Sequence, residues 1–91
     1  MAYIDPRMVL SPRGRVENLE VLYDGGEGEY AIARMDWDGD PGNIGVRWNG
    51  GDTPGRFDRT GNPQSRGVPT WFILPEHIAR LVVDNLPSSQ R

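Results

Sequence analysis

Cysteine and lysine are both missing from this chain, and histidine occurs once. Without cysteine there is no disulfide framework, no thiolate nucleophile and no thiolate metal site, which suits a reducing compartment. Without lysine, all ten cations are arginine. A GC-rich genome of bacterial type accounts for that bias with no appeal to function; the sharper reading is a need for planar five-donor forks that meet anions or aromatic faces. No apolar run approaches membrane-spanning length, and the opening Met-Ala-Tyr-Ile-Asp-Pro-Arg holds no apolar stretch of a secretory signal. The expectation from these absences is a cytoplasmic protein that does not enter a membrane.

What is present is enough for one domain and one modest core. We read residues 1–91 as a single unit, with an N-terminal arm at 1–14, a long loop at 49–67, a C-terminal helix at 75–86 and a tail at 87–91. The net charge of −3 conceals an uneven distribution. Residues 17–40 carry eight carboxylates against one arginine, whereas residues 43–71 carry four arginines against two aspartates. The acidic part opposes wholesale binding of a polyanion, and the basic segment is a local feature.

Three stretches alternate with period two, the mark of half-buried strands. Leu19, Val21 and Tyr23 alternate with Asn18, Glu20 and Leu22; Tyr30 and Ile32 with Ala31, Ala33 and Met35; Ile44, Val46 and Trp48 with Gly45, Arg47 and Asn49. Asp24-Gly25-Gly26-Glu27-Gly28 supplies a tight reversal between the first two, and residues 36–42 supply the next. Trp48 is expected in the core of the central strand, with the Gly45, Arg47 and Asn49 face turned to solvent. Met8-Val9-Leu10 predicts a short edge strand. Residues 68–74 predict a further strand, at an edge because Pro69 cannot donate to a ladder. Pro75 and Glu76 open a helix whose apolar stripe is Ile78, Leu81, Val82 and Leu86, and Pro87 stops it. The expected fold is mainly β with one C-terminal α-helix: a small antiparallel meander or partly open SH3-like barrel of four to five strands, its apolar face covered by that helix.

Catalytic and metal chemistry find little support. Asp36-x-Asp38-x-Asp40 resembles the opening of a calcium loop, but Pro41 stands where the sharp-turn glycine belongs and Arg47 where the closing glutamate belongs. An acidic, solvated turn is the simpler reading, and no metal is expected. His77 sits in the first helical turn, and neither Ser11 nor Ser65 has the context of a nucleophile elbow. Gly25, Gly26 and Gly28 lead into a strand, whereas a phosphate-cradling loop opens a helix. We therefore expect no enzyme and no cofactor.

The arginine-rich segment remains. Arg47, Asn49, Arg56, Phe57, Arg59, Arg66 and Trp71 bring guanidinium forks, an amide and aromatic faces into one stretch, as protein interfaces favour. Alternatively the tryptophans are core and the arginines a solvated rim paired with Asp52 and Asp58. The expected function is a non-catalytic module that binds a protein partner through the 49–67 loop and the Arg47 strand face. Single-stranded nucleic acid on the same surface is the alternative, and a small enzyme or metal protein ranks below both.

Overall fold

The computed structural model describes residues 4–51, 61–66 and 68–86. A single 3-10 turn, Pro6–Met8, precedes strands β1 (Val16–Asp24), β2 (Tyr30–Trp37), β3 (Asp40–Trp48), β4 (Gln64–Ser65), β5 (Val68–Pro69) and β6 (Phe72–Ile73), and helix α1 (Glu76–Asp84) closes the series. The main sheet has the order β1-β2-β3-β6 and is antiparallel throughout, while β4 and β5 pair separately. The fold is thus mainly β with one C-terminal helix, and the described strands close no barrel.

The meander is tighter than its sequence suggested. Asp38 and Gly39 both take positive φ, 57° and 85°, as a two-residue hairpin loop requires. Strands β2 and β3 therefore run on through Trp37 and from Asp40, and the reversal does not occupy all of 36–42. Pro41 falls at the register shift between the Met35–Asn43 and Trp37–Asp40 pairs, where its missing N–H is tolerated.

Both faces of the sheet are covered, and this corrects the expectation of one buried and one solvent face. Val9, Val16, Ala31, Ala33, Met35 and Trp71 form one cluster. Gly45 makes room for it: a Cβ there would lie 2.8 Å from Met35 Cε and 3.1 Å from Trp71 Cβ. The cover is the N-terminal arm. Residues 8–10 form no edge strand; instead the Val9 carbonyl accepts the Trp71 indole N–H at 2.8 Å, and the Ser11 carbonyl accepts the Thr70 hydroxyl at 2.8 Å. Those bonds interrupt the strand expected over 68–74, so β5 and β6 are separate two-residue pieces.

On the other face, Ala79, Val82, Val83 and Leu86 pack against Ile32, Ile44, Val46 and Leu74. The helix is shorter than 75–86, with Pro75 at its N-cap, and it is rotated so that Ile78 and Leu81 stay exposed. Nine residues reach only about 13 Å at the usual rise, too short to roof the whole sheet. Trp48, expected in the core, is left 36% exposed, while Trp71 is 3% exposed. The last part of the expected 49–67 loop is the β4–β5 hairpin, paired Gln64 to Pro69 and Ser65 to Val68; residues 52–60 and the 87–91 tail lie outside the described residues. Among the described residues no helix is long and apolar enough to cross a membrane.

Candidate functional site

Arg47 on β3 and Asn49, just past its end, project into the face sealed by the arm. Arg47 is 2% exposed, and its Nη1 donates to the Thr70 carbonyl at 2.6 Å and the Pro63 carbonyl at 3.3 Å. Burial lowers its pKa to about 10, so it remains a cation at neutral pH. Asn49 is fully buried; its Nδ2 donates to Asp24 Oδ1 at 3.1 Å and to the Gly26 carbonyl at 2.9 Å. Its backbone N–H donates to Glu29 and its carbonyl accepts from Ile4, which fastens the β1–β2 turn and the arm to the end of β3. Both side chains are buried and hold segments of the fold together, whereas the sequence pattern predicts them on a solvent face.

Trp71 shares that interior. Arg66 is exposed at the β4–β5 turn with φ 53°, apart from Arg47, Asn49 and Trp71. Arg56, Phe57 and Arg59 lie outside the described residues. His77 and Ser65 are exposed. The three turn aspartates have their own partners: Asp36 accepts from Asn18, Asp38 pairs with Arg15, and Asp40 accepts from Asn43. Among the described residues no three acidic or histidine side chains converge as a metal would require.

The concavity of interest lies on the opposite face. Cross-strand pairing of Tyr30 with Trp48, Ile32 with Val46 and Val46 with Phe72 sets Tyr30, Val46, Trp48 and Phe72 on one side of the sheet. Beside them opens a groove of about 730 Å³, rimmed by Asn62, Pro63 and Gln64. The rim is tied to β3 by reciprocal backbone bonds, Trp48 N–H to the Asn62 carbonyl at 2.7 Å and Asn62 N–H to the Trp48 carbonyl at 3.2 Å. Gly61 permits that approach: its φ is +74°, and a Cβ there would collide with the Trp48 carbonyl oxygen and sit 2.8 Å from Arg47 Nη2. Arg47 therefore holds the rim from behind, through Pro63, while Trp48 faces the groove.

The aromatic side chains form a row. The rings of Tyr30 and Trp48 meet edge to face with centroids 6.0 Å apart, and those of Tyr23 and Tyr30 are 5.0 Å apart. Phe72, 58% exposed, stands across Val46. At the Tyr23 end the surroundings are acidic. The Tyr23 phenol is held above its ordinary pKa by desolvation first, then by Tyr30, Glu29 and Asp24. Comparison with family models, with curated proteins and with solved structures gives no match to this chain.

Sequence reasoning missed Tyr30, Gln64 and Phe72 as site residues and assigned Trp48 to the core. One signal was available: Trp71 and Phe72 are adjacent in a stretch that reads as extended, so they turn to opposite faces.

Proposed function

We propose that this chain is a non-catalytic protein-binding module whose partner docks in the aromatic groove of the helix face, not on the Arg47 face. One observation carries the reading: Tyr30, Trp48 and Phe72 stay substantially exposed around a concavity whose backbone is braced from beneath. Clustered, accessible aromatic side chains on a rigid base are what partner hot spots are made of. Bracing matters because a preformed surface avoids the entropy of ordering on binding. A cysteine-free chain forgoes nothing in the cytoplasm, where we place the module.

An aromatic row also suits stacking of unpaired bases, the alternative reading. The carboxylates of Asp24 and Glu29 beside Tyr23 oppose it, since they repel a phosphate backbone along that edge. Capture on the immobilised chain from nuclease-treated and untreated lysate, over a salt series, separates the two. A protein partner is retained after nuclease, changes little with salt, and is lost with Phe72→Ala or Trp48→Ala. Retention indifferent to both substitutions contradicts the groove; steep salt dependence with nuclease sensitivity means nucleic acid.

A further inference from the structure

The aromatic row leads out of the groove into an acidic neighbourhood, and that neighbourhood selects a partner. In the groove stand Trp48 and Phe72, and among the described residues that line it Arg47 is the one ionised side chain. Beyond the lining residues the row continues: Tyr23 packs on Tyr30, and both Tyr23 Oη and Glu29 converge on Gly25, where a built Cβ lies 3.3 Å from the phenol oxygen and 2.7 Å from Glu29 Cβ. Asp24 is close by but committed, accepting from Asn49 and from the Gly26 N–H and lying 4.0 Å from Arg7. Glu29 is exposed and makes no ion pair among the described residues. Among the described residues Arg47 is the one arginine that lines the groove, and its Nη1 is turned to the Pro63 and Thr70 carbonyls.

Building on the groove as docking site, we infer that the docking segment is an extended peptide of a partner protein carrying an arginine, whose apolar side chains lie against Trp48 and Phe72 and whose guanidinium stacks on the Tyr23–Tyr30 end beside Glu29. Chemistry favours arginine over lysine there. A guanidinium is planar, sheds its hydration more readily than an ammonium, stacks on an aromatic ring and still offers a fork to a carboxylate. An acidic peptide meets Glu29 as a like charge, and an uncharged apolar peptide leaves Glu29 without a counterpart.

The test is selection of a displayed library of random short peptides on the full chain. The strongest binder is then synthesised with its arginine intact, or replaced by lysine or by glutamate. We expect arginine to be enriched in the selected peptides. The glutamate version should bind more weakly by about tenfold or more, with lysine between the two. Glu29→Arg, a change at an exposed position, should erase or reverse that order, and Phe72→Ala should weaken every version alike. Melting temperatures within a few degrees of the parent establish that both variants are folded. Binders that need Phe72 but show no preference between arginine and glutamate overturn this inference and leave the groove standing. Binders indifferent to Phe72→Ala, or a library from which nothing is enriched, overturn both.

Discussion

The two faces of the sheet use opposite means. On the face under the N-terminal arm, polar side chains go inside: Arg47 and Asn49 are buried, and each is spent on backbone carbonyls of segments that lack regular structure. On the face under α1, apolar side chains stay outside, and Tyr30, Trp48 and Phe72 surround a groove that the helix does not reach. A buried donor aimed at a distant carbonyl makes a good clasp, whereas an aromatic cluster left at the surface is accessible to another molecule. On this division Arg47, Asn49 and Trp71, expected at a binding surface, hold segments of the fold together, and Trp48, expected in the core, lies in the groove that we propose for a partner.

The strongest way to break this comparison is to remove Trp71. Deleting a fully buried large aromatic costs about 3–5 kcal/mol, against a total of about 5–14 kcal/mol for a domain this size. Trp71→Ala should therefore be largely unfolded or close to it, as read by far-UV circular dichroism in a urea titration. A near-parental midpoint would mean that the arm face is not the main core.

Next come the clasps. Arg47→Ala leaves the Thr70 and Pro63 carbonyls short of a donor, and Asn49→Ala does the same to Asp24 and Gly26. Each should cost about 1–3 kcal/mol in chemical denaturation. Arg47 also carries a pH signature. Burial lowers its folded pKa to about 10, below the ordinary arginine value, so the unfolded chain holds this proton more tightly. The charge-burial penalty is then fully present below about pH 10 and is relieved only above it. The stability difference between the parent and Arg47→Met should accordingly stay constant from about pH 6 to about pH 9. A difference that drifts across that interval would mean the guanidinium titrates with some other group.

Phe72→Ala has the smallest expected effect on folding, about 1 kcal/mol or less, because its ring is more than half exposed. Its effect on capture of a partner should be far larger than on melting. Equal loss in both would make Phe72 part of the core and close the distinction between the faces.

Most of the sheet was legible in the sequence, because period two is a local property. The alternations around Val21, Ile32 and Val46 placed three strands and sorted the side chains of the second and third into two sets; in β1 the register shift between Val21 and Tyr23 turns Tyr23 to the helix face, away from Leu19 and Val21 with which the pattern groups it. Alternation does not say what covers each set. Gly45, Arg47 and Asn49 read as a solvent face because none is apolar, yet a glycine admits Trp71 and the two polar side chains reach carbonyls distant in sequence. Those bonds, over separations such as Arg47 to Thr70, leave no trace in local pattern. Strands β4, β5 and β6 are two residues each, too short to show a period. The groove was illegible for a related reason: it exists where a nine-residue helix ends, and helix reach is set by tertiary placement, not by its apolar stripe.

The most direct test of the division between faces is a titration of the labelled full chain with the arginine-bearing peptide, followed by amide and indole NMR signals. The account predicts shifts at Tyr30, Val46, Trp48 and Phe72 and at Glu29, with the Trp71 indole and the amides of Val9 and Asn49 unmoved. Shifts centred on Trp71, Val9 and Asn49, with Trp48 and Phe72 still, would contradict it.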